Sequence, residues 1–508
     1  MTMLQATRKA VALSVSLSSP VLGLNNRDGV GEMDPRFAIE LDNFIAQNGS
    51  CDVRGGTVQH ATGMSGVIDS LLVWNGPATN KMFAANGGKI YNTTVSGAVG
   101  AADLSGMTNN RWQYQNITTT GGNFMFMVNG ADAPRYYDGT TWTTPAITGI
   151  TAANAANVYL HANRLWLALN NDINAYYMPT SAVAGAATKF PLGAVFREGG
   201  YLQTMVSISR DSGAGMDDYI AFISSNGEVA IYQGTDPSSV TTWGLVGLYK
   251  IGKPIGRRCA FKYAADGVVI TEDGVTSLSK IMAVDRYGQV ALTDVINQKF
   301  NQDAKTYGTF FGWQGFIYPR GKWLVVNIPL AEGETQRQYI MNTVTGAWST
   351  FSNMNANCWA IMGDDIYYGG NDGRVMRANT GYSDDGSNIN FSLKTSYQYY
   401  GIKGVKKFFR MIQPLFRTSG VIGYGLGINT DFNETTPPIY TTGSLSSGWT
   451  WGDAWGNIFW GGGSFVQRAW RGLSKSGSLA SVVFNGATKG SSVSVFSFDI
   501  VFERGSVL

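Results

Sequence analysis

The chain has 508 residues, of which 44% are apolar and only 14% charged, with a formal net charge of +3. That length exceeds one ordinary core and predicts two or three domains. The net charge itself says little, but no strongly basic domain argues for sequence-specific nucleic-acid binding, and no apolar run of about 18 residues marks a transmembrane helix. The charged share lies well below the ~25% typical of soluble domains, so much of the surface is expected to be buried against partners. With 64 Gly, 24 Tyr and 14 Trp, the composition favours a nearly all-β protein. Cys51, Cys259 and Cys358 are odd in number and form no CxxC pair, so they read as buried free thiols of a protein made in the cytosol.

At the N-terminus, Arg8-Lys9 precede a run in which Val11, Leu13, Val15 and Leu17 alternate with small residues. Period two favours a half-buried strand over a signal peptide. An irregular stretch with Pro20, Gly23 and Gly29 follows, and Asp34-Pro35 predicts a short helical turn. Residues 1–60 are therefore an N-terminal arm.

Residues 61–385 carry a strand–turn–strand unit that keeps returning. It reads Met82-Phe-Ala-Ala-Asn-Gly-Gly-Lys-Ile-Tyr91, then Phe124-Met-Phe-Met-Val-Asn-Gly130 with Arg135-Tyr-Tyr-Asp-Gly139. Further copies begin at Leu165, Ile220, Val268 and Ile366. Each joins an apolar strand to an alternating strand through Asn-Gly, Asp-Gly or a close variant, dipeptides that tolerate the positive φ of tight turns. Starts roughly 40–55 residues apart predict the blades of a β-propeller, six or seven in number. Trp323-Leu-Val-Val-Asn-Ile328 and Tyr339-Ile-Met341 read either as two strands of one blade or as parts of neighbouring blades. One amphipathic helix is expected at 293–303, with Leu292, Val295, Ile296 and Phe300 on one face. Residues 386–508 form a second β-rich domain, a sandwich or barrel, with strands at 391–397, 408–416, 421–428, 480–484 and 493–502.

Motifs for chemistry are sparse. His60 and His161 sit in no metal-binding pattern. His161 reads as a hydrogen-bonded histidine near a sheet. No G-x-S-x-G elbow is present. The carboxylate pairs Glu272-Asp273 and Asp364-Asp365 fall where hairpin turns need Asp, and neighbours along a strand point to opposite faces, so they read as turns and not as a glycosidase pair. Asn371-Asp-Gly-Arg and Ser383-Asp-Asp-Gly-Ser387 do not complete a calcium loop. Gly461-Gly-Gly463 lacks the Lys of a phosphate loop. Lys403, Lys406, Lys407 and Arg410, and the smaller pair Arg257-Arg258, could contact phosphates, but read better as cations solvating a strand edge. No catalytic residue, metal ligand or cofactor site is assigned. Trp449, Trp451, Trp455, Trp460 and Trp470 lie in a Gly-Ser-rich setting; such aromatics either stack on sugars or anchor subunit contacts, and the low charge favours contacts.

Gly23-Leu24-Asn25-Asn26-Arg27-Asp28, Met33-Asp34-Pro35, Glu40-Leu-Asp-Asn43, Cys51-Asp-Val-Arg-Gly-Gly56 and His60-Ala-Thr-Gly63 form an ordered series. Asn342-Thr-Val-Thr-Gly-Ala-Trp-Ser-Thr-Phe351, Tyr367-Tyr-Gly-Gly-Asn-Asp-Gly-Arg-Val375 and Asp384-Asp-Gly-Ser387 continue it. Over about three quarters of its length, to near residue 390, the chain resembles the tail hub or nozzle proteins of short-tailed bacteriophages (podoviruses). The resemblance implies a structural subunit of the virion tail, assembled in the host cytoplasm, and not an enzyme. It implies a homohexameric ring below the portal and the head–tail adaptor, in contact with fibres or a tail needle. Genomic DNA would pass through the channel without sequence-specific binding, and the ring would help retain DNA before infection. No stable membrane insertion is expected, and Lys403, Lys406 and Lys407 should lie off the narrowest constriction, since strong positive attraction would trap the polymer. The alternative is a receptor- or carbohydrate-binding tail protein on a propeller scaffold; a secreted propeller enzyme comes third.

Overall fold

The structure, a computed structural model, describes residues 12–211, 216–283, 291–401, 403–442 and 464–507. The chain divides into two units. One comprises Gln59–Tyr339 and Ser352–Ala378; the other is assembled from Met1–Val58, Ile340–Phe351 and Asn379–Leu508.

The first unit is a seven-bladed β-propeller. Four blades are four-stranded and consecutive in sequence, and their innermost strands are Ile68–Asn75, Gln113–Thr119, Ala155–His161 and Leu202–Asp211. The fifth has three strands, Ala260–Tyr263, Asp266–Thr271 and Gly274–Ser277. The sixth contains Gln314–Tyr318, Trp323–Pro329 and Gln336–Asn342. The seventh contains Cys358–Met362, Asp365–Gly369 and Val375–Ala378, and its outer strand, Thr57–Thr62, comes from the beginning of the chain. The innermost strand of each blade touches that of the next, and Cys358–Met362 returns to Ile68–Asn75, so the ring is closed.

The recurring sequence unit is the second and third strand of a blade. In the first blade, Asn80–Asn86 turns into Lys89–Asn92 through Gly87 and Gly88, with φ of 58° and 72°. Both angles lie in the left-handed region that a tight hairpin turn demands and glycine supplies without strain. The ambiguous pair at 323–328 and 339–341 belongs to one blade. Strands of a blade alternate between two cores. Leu71, Val73, Met82 and Ala84 pack with Cys358 and Tyr367 of the seventh blade. Leu72, Trp74, Phe83 and Ala85 pack with Trp112, Met125 and Met127 of the second. Burial on both faces explains the unbroken apolar runs. The expected helix is a 3₁₀ turn, Asp294–Ile296, running into Asn297–Tyr307, with Ile296 and Phe300 buried.

In the second unit, one sheet orders Phe44–Ala46, Cys51–Val53, Val493–Val507, Val405–Thr418 and Phe465–Arg468, with Ala12–Ser18 and Arg471–Gly477 paired alongside. A second run orders Trp348–Phe351, Gly23–Leu24, Phe37–Asp42, Ile389–Thr395, Ala480–Thr488, Gly423–Thr430 and Ile439–Thr441. Phe416 and Phe498 of the first meet Tyr424 and Phe484 of the second, with ring centroids 5.2–5.9 Å apart, the interleaving of a β-sandwich. No sheet closes into a barrel among the described residues. The N-terminal strand is present: Leu13 and Val15 are half-buried and Leu17 buried. The helical turn expected at Asp34-Pro35 is instead a tight turn. Its Asp34 carbonyl accepts the Phe37 N–H at 3.0 Å and its Oδ1 accepts the Arg36 N–H at 2.8 Å, so the chain enters the strand Phe37–Asp42 directly.

Arg54 ties the three segments of this unit together. Only 1% exposed, it donates two hydrogen bonds to Asp384, at 2.8 and 2.6 Å. A third goes to Asn43 Oδ1 at 2.7 Å, and the guanidinium lies 5.7 Å from the centre of the Phe351 ring. Arg54→Met should lower unfolding stability by about 3–5 kcal/mol, because it strands a carboxylate among buried partners. Urea denaturation checks this, and a loss within the ordinary surface range of about 0.5 kcal/mol would contradict it.

Candidate functional site

The inner strands carry polar side chains at the axis, where seven sheets converge and the small space left must still satisfy backbone groups. A cavity of about 180 Å³ there is lined from every blade, by Leu71, Gln113, Asn157, Thr204, Ala260, Gln314 and Trp359 among others. Polar side chains of the inner strands bridge blades. Gln314 donates through Nε2 to the Trp359 carbonyl and accepts the Trp359 N–H, both at 3.0 Å. Asn157 donates to Thr204 Oγ1 at 3.2 Å and to the Arg257 carbonyl at 3.0 Å. Ser70 accepts the Trp112 N–H at 2.9 Å.

A wider cavity, about 570 Å³, shares Arg257 with the first and is lined also by Asp69, Asn110, Arg111, Asn129 and Phe311. Arg257 donates to the Asn129 carbonyl at 3.1 Å and to Asn170 Oδ1 at 2.8 Å. Arg258 donates to Ser70 Oγ at 2.6 Å and to the Trp112 carbonyl at 3.0 Å. All four acceptors are neutral. Arg111 pairs with Glu332 at 2.5 Å, and its guanidinium and that of Arg258 lie 4.3 and 5.0 Å from the centre of the Phe311 ring. Desolvation pushes the pKa of both Arg257 and Arg258 down. Burial pushes Asp69 up, although Arg111 and Arg258 pull it back. The reading of Arg257-Arg258 as cations solvating a strand edge is thus corrected: both are half-buried at the axis. Sequence alone could not place them there, because only ring closure brings residues 69, 111, 257 and 311 together.

The cluster at 403–410 is divided differently. Lys407 is buried and donates to the carbonyls of Val405 and Ser478, each at 2.9 Å, and burial lowers its pKa. Lys403 pairs with Glu32 at 2.5 Å and Arg410 with Glu503 at 2.8 Å. Lys406 and Lys407 lie in Val405–Thr418, an interior strand of its sheet, so the strand-edge reading is corrected here too. Trp449, Trp451, Trp455 and Trp460 lie outside the described residues. Trp470 is 40% exposed. Glu272-Asp273 and Asp364-Asp365 sit at hairpin turns, and Asp365 is paired with Arg320 and Arg377. Asp372 bonds to Arg374 and Asp384 to Arg54. All three cysteines are free and buried; burial raises each thiol pKa, to about 12 for Cys259 and Cys358. Among the described residues no group of three His, Cys, Asp or Glu is placed to hold a metal ion, and no helix is long and apolar enough to cross a membrane.

No protein-family model and no curated protein sequence matches the chain. Solved structures similar to it include BBS1N in complex with ARL6DN, 10% identical over 64% of this chain and 98% of that one, with a TM-score of 0.41. The computationally designed Ika8 protein is 9% identical over 63% and 99%, with a TM-score of 0.37. Chaetomium thermophilum Raptor is 9% identical over 64% of this chain and 29% of that one, with a TM-score of 0.40. Likenesses this distant carry nothing about what the chain binds or does.

Two outcomes follow for the inner strands. Gln314→Leu should cost about 2 kcal/mol, since it leaves both Trp359 backbone groups without their partner. Urea unfolding measures this, and an unchanged midpoint would refute the role of Gln314 as a bridge between blades. His161 is buried, with Nδ1 3.1 Å from Ser207 Oγ, and burial depresses its pKa. The unfolded chain therefore takes up the proton first as pH falls. The contribution of this residue is complete above about pH 6.5 and is lost progressively below it. Thermal melts should show a steeper fall in Tm between about pH 7 and about pH 5 for the wild type than for His161→Gln; parallel falls would exclude this group as the cause.

Proposed function

We propose that this chain is a structural subunit of a phage virion tail, a hub or nozzle protein that assembles with copies of itself into a ring and has no catalytic role. The observation that carries the reading is the strand Ala12–Ser18. It pairs with Val493–Val507 on one side, while no strand pairs with its other side among the described residues. Its sequence, Ala-Leu-Ser-Val-Ser-Leu-Ser, has no charge and no proline. Soluble monomers blunt such edges with Lys, Pro or bulges, and the opposite edge of the same sheet does carry Arg468, Arg471 and Lys475. An undefended edge suits strand addition by a neighbouring subunit. On that sheet Phe408, Met411 and Val466 are also exposed, as is Trp470 in the link between Phe465–Arg468 and Arg471–Gly477, and the low overall charge agrees with extensive subunit contact.

The ordered motif series of the N-terminal three quarters supplies the rest: a six-copy ring beneath an adaptor, with DNA passing through it during ejection. Contacts in such a ring are heterologous and close by rotation. Electron microscopy of the purified protein, alone and with neighbouring virion proteins, tests the reading. Six-fold rings with an open axis are the expected result, and Ser14→Lys with Ser16→Pro should abolish them while leaving the monomer folded. A monodisperse monomer that never joins an adaptor ring, yet binds glycans on an array, would transfer the assignment to a receptor-binding tail protein.

A further inference from the structure

We propose that the wider axial cavity of the propeller binds a carboxylate, held by the forked guanidinium of Arg257. This site is independent of the tail assignment. Arg257 is a half-buried cation whose two hydrogen-bond acceptors, the Asn129 carbonyl and Asn170 Oδ1, are neutral. A desolvated charge without a counter-charge is costly, and an anion entering the cavity relieves that cost. The other cation lining the cavity, Arg111, is already matched by Glu332. The volume, about 570 Å³, falls within the range of small-ligand sites.

The wall is shaped to leave Arg257 accessible. Gly130 lines the cavity with φ of 75°, and a Cβ there would stand 2.9 Å from Asn170 Nδ2 and 3.0 Å from Arg257 Nη1. A side chain at this position would crowd the guanidinium, so glycine keeps this wall clear of it. Asp69 on the same wall decides the kind of anion. A phosphate dianion would face that carboxyl with two charges, whereas a monoanion faces it with one and still matches the fork of the guanidinium. The carboxylate can come from an acidic side chain of a protein or from a small free acid.

Isothermal titration calorimetry of the full chain with acetate, inorganic phosphate and a capped tetraglutamate peptide distinguishes these sources. Carboxylate binding is expected, weakened by more than about tenfold in Arg257→Gln and unchanged in the charge-matched control Lys189→Gln. Tighter binding of the peptide than of acetate identifies a protein as the source, and equal binding identifies a small acid. Absence of carboxylate binding, binding indifferent to Arg257→Gln, or a preference for phosphate overturns the proposal. Should Arg257→Gln fail to fold, wild-type crystals soaked in 4-bromobenzoate give the same answer: an anomalous bromine peak in the cavity with its carboxylate on Arg257 supports the site, and an empty cavity refutes it.

Discussion

The propeller depends on a clamp between the segments that enter and leave it. Arg54-Gly-Gly-Thr57 runs beside residues 379–385: the Gly56 N–H donates to the Gly381 carbonyl and the Thr57 N–H to that of Ser383, each at 2.9 Å, and the Thr380 N–H returns to Gly56 at 3.0 Å. A Cβ at Gly56 would collide with the Ser383 carbonyl, so the approach requires glycine. Arg54 fixes the clamp through two charge-assisted bonds to Asp384. The next strand, Thr57–Thr62, then completes the seventh blade beside Val375–Ala378. Ring closure thus brings together partners more than three hundred residues apart, a contact that carries a large loop-closure entropy.

Closure matters because no blade is self-sufficient. Successive residues of Ile68–Asn75 serve different cores, one shared with the seventh blade and one with the second. A sheet missing either neighbour would expose an apolar face. The third and fourth blades show how much surface is at stake: Trp166, Phe190, Phe222, Tyr232 and Trp243 form one aromatic cluster between them, with Trp166 and Trp243 stacked at 5.5 Å.

These local and global demands explain what could be read in the sequence. Gly87, Gly88 and Asn171 mark turns of the recurring unit whose positive φ is set within a few residues, so six blades announced themselves. The sixth was ambiguous because Trp323–Pro329 and Gln336–Asn342 are joined through 330–335 without the Asn-Gly or Asp-Gly signature. The clamp was visible only as glycines and a lone arginine, since its partners come from a distant segment. The axial arginines were misread for the same reason. A pair of cations beside Cys259 and Ala260 looks like a solvated edge until six other blades surround it.

The two units therefore distribute polarity in opposite ways. In the propeller, apolar residues are consumed between blades and the leftover polar groups are driven to the axis, where Asn157, Gln314 and Arg258 repay their desolvation by bridging neighbours. Among the described residues Arg257 fits that scheme only in part, because its two hydrogen-bond acceptors are neutral oxygens that do not match its charge. In the sandwich, aromatic rings fill the space between the sheets and the open backbone lies at the rim, where Ala12–Ser18 presents backbone groups with no charged side chain to discourage pairing. An unmatched charge and an undefended edge are both costs that a folded chain carries by itself and that a second molecule can relieve.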